Sequence, residues 1–318
     1  FSNLYTVYEY GKYSIRGKTE LVSENKNSST GLDREYITHW SYGIDETMNM
    51  LIPNFKGGAS KPFDKDSETV KALRKNNMAS YAEGMPKYWG SQPVTDGPHY
   101  VGAIMVFLFI LGLIIVKGRE KWWLLIATIL SLMLAWGKNF MPFTNLFIDF
   151  FPGYNKFRAV TMTLVIAQFS ISLLGVLALR DIFSGSVGKK DTLKSLKIAT
   201  AVTGGIVLLI LLIPGISGSF MNQWESEYPG WLKSALVADR KELLRTDAFR
   251  SLIFILLTSG IVFGFLYEKI RKEYTILIVG VLILTDLWSV DKRFLNGDRF
   301  VKSTVVQKSL TPSLADSY

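Results

Sequence analysis

The sequence predicts a mainly α-helical membrane protein, a polytopic bundle of about six transmembrane helices, on three observations. The mean hydropathy of the 318-residue chain is +0.21 although 20% of its residues are charged. The apolar residues are concentrated after residue 98, in runs with almost no charge. Charged turns separate the runs, and each run with its flanks meets or approaches the ~20 helical residues that a bilayer core of ~30 Å requires.

Six runs are predicted to cross the membrane: Val101–Val116, Trp122–Trp136, Val160–Leu179, Ile198–Ile213, Ser251–Tyr267 and Tyr274–Val290. The alternative is a soluble protein with buried helices, which the number of such runs in so short a chain disfavours. Asp286 is the one ionisable residue well inside a predicted span, about 18 Å along its helix at ~1.5 Å per residue. At this depth it could face a lipid-phosphate cavity, pair with an arginine of an outer loop or relay a proton.

Basic residues in the short connecting loops predict the orientation of the chain. They are Lys117, Arg119, Lys121, Arg180, Lys189, Lys190, Lys194, Lys197, Lys269, Arg271 and Lys272. Because cytoplasmic loops carry an excess of Lys and Arg, we expect these loops in the cytoplasm and the longer loops 137–159 and 216–250 outside. The formal net charge of +9 then follows from topology, without binding to nucleic acid. The prediction is a multi-pass protein of the bacterial cytoplasmic (inner) membrane.

The composition divides the chain into three regions. Residues 1–98 form a polar extracytoplasmic segment, 99–293 the transmembrane bundle, and 294–318 the polar, strand-like start of an extracytoplasmic C-terminal region. In the outward loops, residues 139–152 and 230–247 are predicted to be amphipathic helices. They would lie on the membrane interface or pack on the outer face of the bundle.

The chain is expected to be the central part of a larger protein. A polar segment outside the membrane needs something upstream to deliver it, and no signal sequence precedes it, so we expect an omitted span there. The chain contains no cysteine, which excludes a disulfide scaffold, a thiolate metal site and a thiol enzyme.

Short motifs along nearly the whole chain point to a known family. They are SIRG (Ser14–Gly17), HWSYG (His39–Gly43), IPNFKGG (Ile52–Gly58), YWGSQPVTDGPHYVG (Tyr88–Gly102), AWGKNF (Ala135–Phe140) and FPGYNKFRAV (Phe151–Val160). Together and in this order they resemble the bacterial YfhO-like membrane proteins. The most specific are the stretch entering the first span and the Tyr-Asn-Lys-Phe-Arg stretch before the third.

The resemblance implies a GT-C-type glycosyltransferase-like protein. Such proteins take a sugar from a polyprenyl-phosphate carrier and transfer it, on the outer face of the membrane, to a polymer or other acceptor. The resemblance also implies a catalytic carboxylate upstream of residue 1, so that no catalytic residue is assigned. The expected partners are membrane lipid, a polyprenyl-phosphate sugar and other envelope proteins.

Two other functions are open at this point. A transporter or flippase would need broken helices and polar residues at the membrane midplane, and the predicted spans are poor in both apart from Asp286. A non-catalytic scaffold subunit of an envelope complex would be a closed bundle without a cavity, bound to another subunit.

Cations at the outer membrane boundary are candidates for binding a lipid phosphate. Lys156 and Arg158 lie at the mouth of the third predicted span, beside Tyr154, and arginine presents a planar fork to phosphate oxygens. Arg16 in the SIRG motif is a further candidate. The alternatives are flanking bases that snorkel to lipid headgroups and, for Arg16, a structural ion pair.

A divalent cation could be held by His39, Asp45 and Glu46, since hard cations prefer oxygen-rich ligand sets. No metal-binding spacing is present, so a metal site is not predicted, and a hydrogen-bonded surface histidine is the alternative for His39. All three stay polar candidates, together with Asp286.

Overall fold

The computed structural model describes residues 2–14 and 31–309 of the 318-residue chain. In these two ranges the chain forms helices and loops and no β-strand. The helices are α1 (Ser2–Tyr10), α2 (Arg34–Thr38), α3 (Glu68–Lys75), α4 (Ala103–Ile115), α5 (Glu120–Ala135), α6 (Met141–Phe150), α7 (Leu164–Phe183), α8 (Lys189–Leu212), α9 (Gly230–Leu266), α10 (Lys272–Phe294) and α11 (Ser303–Ser309). The chain is therefore mainly α-helical, as predicted.

Helix α4 forms the centre of the bundle. It packs against α7, α8, α9 and α10, and Ile104 and Leu111 on its surface are fully buried. A helix that is apolar on every side is stable when other elements surround it. Gly112 lets α7 approach closely, because a Cβ at this position would lie 2.8 Å from the carbonyl oxygen of Leu174.

By length and composition, four helical segments can cross a membrane. They are Val160–Phe183, Lys189–Leu212, Gly230–Leu266 and Lys272–Phe294. The segments Glu120–Ala135 and Gly137–Phe150 make a fifth if they are counted as one span, although the chain bends by 111° between them. The structure therefore supports four or five spans where the sequence predicted six.

The first predicted span, Val101–Val116, accounts for the difference in number. Its helix, α4, has 13 residues and is about 20 Å long at ~1.5 Å per residue. Gly102 has a φ of 111°, and Val116 is extended, so the apolar run is not helical at either end. Hydropathy detects the apolar run but not these two breaks in the helix.

Exposed apolar side chains along these helices indicate a membrane protein. Val165 and Phe169 on α7 are 63% and 62% exposed, and Leu277 and Leu284 on α10 are 63% and 68% exposed. Contiguous apolar surface of this kind is rare in monomeric soluble proteins and is stable when hydrocarbon surrounds it.

The predicted amphipathic helix at residues 230–247 is not a separate element. It is the first half of α9, one continuous helix of 37 residues. At ~1.5 Å per residue α9 is about 55 Å long, so it exceeds a ~30 Å hydrocarbon core by nearly half its length. These residues are helical as predicted, and of the two positions left open for them the structure shows packing, here against α3.

Residues 139–152 do contain a separate helix, α6. Phe140, Phe143, Phe147 and Phe151 form a row of contacting rings, with successive centroids 5.9, 5.1 and 5.7 Å apart. The sharp bend after α5 turns this aromatic row away from the axis of the preceding span. The segments α5 and α6 therefore form a broken span or a re-entrant loop rather than one straight helix.

Residues 31–102, which we call the head, cover one end of the bundle. The amide of Tyr42 donates to the carbonyl oxygen of Ala135 at the end of α5 (2.8 Å). The hydroxyl of Ser251 in α9 donates to the carbonyl oxygen of Leu51 (2.8 Å). The loops at the opposite end carry the basic residues used above to predict orientation, and we call that end the basic end.

The first half of α9 is also the support of the head. Asp239 accepts hydrogen bonds from the amides of Glu68 (3.0 Å) and Thr69 (2.7 Å), so that it caps α3. Leu73 of α3 and Leu236 of α9 belong to one buried apolar cluster.

The polar region that begins at residue 294 was expected to be strand-like. In its described part, the structure has a helical turn at Gly297–Arg299 and the helix α11 instead. Arg299 donates to Asp96 of the head (3.2 Å), which keeps this region at the head end.

Candidate functional site

The predicted lipid-phosphate residues lie on a turn at the edge of the head. Arg158 is exposed, and its guanidinium donates to the hydroxyl of Tyr36 (2.8 Å) and lies 5.3 Å from the centre of that ring. Lys156 is half-buried. Tyr154 packs 5.8 Å from Phe147, and burial raises the pKa of its phenol to about 12.

Arg16, the remaining phosphate candidate, lies outside the residues that the structure describes. None of Tyr154, Lys156 and Arg158 lines the cavity of the head that is described below.

The three residues considered for a divalent cation are not brought together. His39 is exposed and packs edge-on against Trp40, with ring centroids 5.9 Å apart. Asp45 forms an ion pair with Lys56 (2.6 Å), and Glu46 is fully buried. Across residues 2–14 and 31–309, no group of three His, Cys, Asp or Glu side chains is arranged to hold a metal ion.

Asp286 is buried and fully engaged. Its carboxylate accepts hydrogen bonds from the hydroxyl of Tyr100 (2.6 Å) and the amide of Ile104 (3.3 Å), and it forms an ion pair with Arg250 (2.9 Å). Of the three roles considered for Asp286, the structure shows pairing with an arginine. Arg250 belongs to α9 rather than to a loop.

A cavity of the head, with a volume of about 760 Å³, lies where three segments distant in sequence meet; we call it the head cavity. These are the head itself, the bend between α5 and α6, and the loop between α8 and α9. Its polar and aromatic lining includes Asp45, Lys56, Tyr88, Trp89, Gln92, Lys138, Asn139, Asn222, Gln223 and Trp224. Three of the quoted motifs, IPNFKGG, YWGSQPVTDGPHYVG and AWGKNF, contribute to this lining, so these three are brought together in space.

Two lysines supply positive charge to the cavity in different ways. Lys56 is buried, and its ammonium contacts Asp45 (2.6 Å) and donates to the carbonyl oxygen of Ser217 (3.3 Å). Lys138 is exposed and forms no ion pair with any described residue. Its backbone amide donates a hydrogen bond to the hydroxyl of Ser41 (2.8 Å), and this bond fixes the position of the Cα atom from which the side chain extends. The cavity thus has one fixed cation and one cation available to a ligand.

A buried carboxyl group lies behind the cavity wall. Glu46 accepts hydrogen bonds from the amide of Gly43 (2.6 Å) and the hydroxyl of Tyr88, whose oxygen accepts from the amide of Gln92 (2.9 Å). Burial raises the pKa of Glu46 above its usual range, and burial together with the charge of Glu46 raises the pKa of Tyr88. Gly90 packs directly on the pair, since a Cβ there would overlap both side chains.

The far wall of the cavity is fixed by a buried ion pair. Arg240 of α9 and Glu225 are both completely inaccessible, and they are joined by two short hydrogen bonds of 2.6 and 2.7 Å. Arg240 also donates to the carbonyl oxygens of Phe220 (2.9 Å) and Pro86 (3.0 Å), and its guanidinium lies 5.4 Å from the Trp89 ring. One side chain therefore connects α9, the loop after α8 and the head.

These groups suit a ligand that is both anionic and rich in hydroxyls. Lysine ammonium groups bind phosphate as point charges, and side-chain amides recognise hydroxyl groups. Trp224 is half-exposed at the cavity and offers an apolar ring face, while the indole N–H of Trp89 is buried without a partner among the described residues. A sugar phosphate has all the complementary features.

Sequence reasoning did not identify this cavity. It singled out neither Lys56 nor Lys138 as a ligand-binding residue. The available signal was that both lysines belong to quoted motifs rich in Gly and aromatic residues, but nothing in the sequence states that these motifs meet. The pairing of Arg240 with Glu225 was equally hidden, because the region between α8 and the polar half of α9 contains many charges of both signs.

Comparisons with protein-family models, curated proteins and solved structures found no match. The resemblance to the YfhO-like proteins therefore stays a prediction from the motifs.

Proposed function

We propose that this chain is part of a membrane glycosyltransferase-like protein that acts on the outer face of the bacterial cytoplasmic membrane with a polyprenyl-phosphate-linked sugar. The observation that carries the proposal is the head cavity, in which two lysines and a carboxylate meet amide and indole groups. The YfhO-like motifs support it independently, since three of them line that cavity.

The position of the cavity suits a donor that stays in the membrane. Lys138 and Asn139 lie in the bend directly after α5, where an apolar helix ends. A phosphate held at this level would leave its polyprenyl chain in the hydrocarbon and its sugar in the cavity. The aromatic row of α6, which begins at Phe140, continues from the same bend and offers apolar surface beside it.

Each charged group has a role in this proposal. Lys138 and Lys56 stabilise the negative charge that develops on the departing phosphate. Asp45 is the one carboxylate among the described lining residues, and its side chain is 56% exposed. In this proposal Asp45, rather than the carboxylate expected upstream of residue 1, accepts the proton of the acceptor hydroxyl as that oxygen attacks the sugar carbon, and the phosphate leaves with the bonding electron pair.

The test is the sugar content of lipid and envelope polymer in cells that express the complete protein. We expect Asp45→Asn and Lys138→Ala to lower protein-dependent sugar transfer by on the order of 100-fold each, as for loss of a general base or a charge-stabilising group. Mass spectrometry of extracted glycolipid and polymer measures this, with protein abundance determined in the same cells.

Matched controls use exposed residues of the head outside the cavity. Lys65→Ala and Asp66→Asn make the same chemical changes and should leave sugar transfer unchanged. Unchanged transfer in both cavity variants would contradict the proposal and favour the transporter or scaffold alternatives. Loss in Arg158→Ala without loss in the cavity variants would move the phosphate site to the turn predicted from the sequence.

A further inference from the structure

The N-terminal turns of α8 at the basic end carry a cluster of lysines that the proposed function does not use. Lys189, Lys190, Lys194 and Lys197 line an open cavity of about 860 Å³ together with Asp191 and Leu193. Lys190, Lys194 and Lys197 are exposed and form no ion pair with any residue in the described ranges. Asp191, the one carboxylate in this lining, offsets only part of the positive charge.

Other basic residues at this end of the bundle are differently engaged. Arg180 forms an ion pair with Asp181 (2.8 Å), and Lys121 donates to the carbonyl oxygen of Leu113 (3.2 Å). Lys189 has an aromatic neighbour, because its ammonium lies 4.7 Å from the centre of the Tyr267 ring. Mutual repulsion between the remaining lysines of α8 is relieved when an anion binds among them.

The same face of α8 continues as an apolar stripe. With 3.6 residues per turn, Lys190, Lys194 and Lys197 fall within an arc of about 100° that also contains Ile198, Ala201 and Leu208. Ile198 and Leu208 are each 42% exposed, and Ala201 is exposed as well. The described part of the chain leaves this face open to the surroundings of the helix.

The dimensions of the row match one leaflet of a bilayer. From Ile198 to Leu209, which is also exposed, the helix rises about 17 Å at ~1.5 Å per residue. Half of a ~30 Å hydrocarbon core is ~15 Å, the depth that an acyl chain of one leaflet occupies. The lysines therefore stand at the level of the headgroups of the leaflet whose chains contact the stripe.

We propose that α8 carries a binding site for an anionic phospholipid, whose phosphate lies among Lys190, Lys194 and Lys197 and whose acyl chain lies along Ile198, Ala201 and Leu208. Charge at headgroup level and apolar surface at chain depth are combined on one helix face, which a soluble anion would not require. The site lies at the opposite end of the bundle from the head cavity and does not depend on the proposed sugar transfer.

The probe is phosphatidylglycerol, with phosphatidylcholine as the neutral reference. The complete protein is purified in phosphatidylcholine nanodiscs, phosphatidylglycerol is titrated in, and bound lipid is counted by native mass spectrometry. We expect wild type to retain phosphatidylglycerol selectively. The triple variant Lys190→Ala, Lys194→Ala, Lys197→Ala should bind it on the order of 100-fold more weakly, since each lysine near a membrane surface adds about a factor of five.

Two further variants separate a site from general electrostatics and from misfolding. Lys65→Ala, Lys71→Ala, Lys75→Ala removes the same charge from the head and should bind like wild type. The triple arginine variant at positions 190, 194 and 197 keeps the charge and should also retain the lipid. Equal retention by the triple alanine variant, or equal loss in the head variant, would overturn the proposal.

A last arm tests whether the ligand is a lipid or a soluble anion. Glycerol phosphate carries the headgroup chemistry without acyl chains, and we expect millimolar concentrations to leave bound phosphatidylglycerol in place. Complete displacement would show that the lysines form an anion site that does not use the apolar stripe, and the lipid proposal would be wrong.

Discussion

The two ends of the bundle use the same residue types in opposite ways. At the head end, buried carboxylates pair with arginines: Glu225 with Arg240, Asp286 with Arg250, and Asp247 with Arg293. At the basic end, the lysines of α8 are exposed and lack carboxylate partners among the described residues. Buried pairs fix the shape of a site, whereas exposed lysines set the position of the chain relative to a charged surface.

The energetic consequence of this difference is asymmetric. Removing one partner of a buried pair leaves an uncompensated charge, which costs about 3 to 5 kcal/mol, whereas exposed ion pairs contribute about 0 to 1 kcal/mol. Substitutions at the head end should therefore affect folding first, and substitutions at the basic end should affect lipid contact and topology first.

The largest effect is expected for Glu225→Ala. It leaves Arg240 buried without its carboxylate and should destabilise the protein by about 3 to 5 kcal/mol. Thermal unfolding in detergent measures this against Lys197→Ala at the basic end, which should change the stability by less than about 0.5 kcal/mol. Equal melting temperatures for the two variants would contradict the claim that the head end depends on buried ion pairs and the basic end does not.

Much of the fold could be predicted from the sequence, because hydropathy is local. The runs that became α7, α8 and α10 are visible as uncharged stretches, and Asp286 stands out because a charge inside such a stretch is rare. The length of α9 could not be read in the same way. Its polar half looks like a separate amphipathic helix, and continuity depends on packing against α3.

The site could be predicted only in part, because it depends on contacts between distant segments. Asp45 was identified as a polar candidate, but for a metal ion rather than for the cavity that it lines. Lys156 and Arg158 were identified from their motif and charge, yet the fold turns Arg158 toward Tyr36. Lys56 and Lys138 are far apart in the sequence, and they line one cavity only because the head packs onto the bend after α5.

A smaller effect at the head end is expected for Gly90→Ala. The added methyl group would overlap the Glu46–Tyr88 pair and should cost about 1 to 3 kcal/mol, the usual range for overpacking. Gly84→Ala is the matched control in the head, since a Cβ there meets nothing within 4 Å. The melting temperature should fall more in Gly90→Ala than in Gly84→Ala. A larger fall in Gly84→Ala would contradict the packing described for Gly90.

Glu46 makes the stability of the head dependent on pH. Because burial raises the pKa of Glu46 in the folded protein, the folded state binds the proton more tightly than the unfolded state. This contribution is complete below the unfolded pKa of ~4.3 and is lost as the pH rises through the raised value, by up to about 1.4 kcal/mol per pH unit. Melting temperatures between pH 4 and 9 should therefore fall more steeply for wild type than for Glu46→Gln.

The exposed Glu83→Gln is the control for that experiment and should follow the wild-type profile. A Glu46→Gln profile parallel to that of wild type would show that Glu46 is not held as a buried acid.

The smallest effect on stability is expected for Arg158→Ala. Its contact with Tyr36 is exposed, so the loss should be about 0.5 kcal/mol or less. A loss comparable to that of Glu225→Ala would mean that the turn after α6 is as tightly held as the cavity wall.

Single-cysteine labelling of intact cells tests most directly that the head and its cavity face outward while the basic end faces the cytoplasm. These 318 residues contain no cysteine, so Ser219→Cys at the cavity and Ser186→Cys at the basic end each introduce an exposed thiol that is the only one within them. We predict that a membrane-impermeant maleimide labels Ser219→Cys on intact cells and Ser186→Cys only after permeabilisation. Labelling of Ser186→Cys on intact cells, with Ser219→Cys protected, would contradict the account.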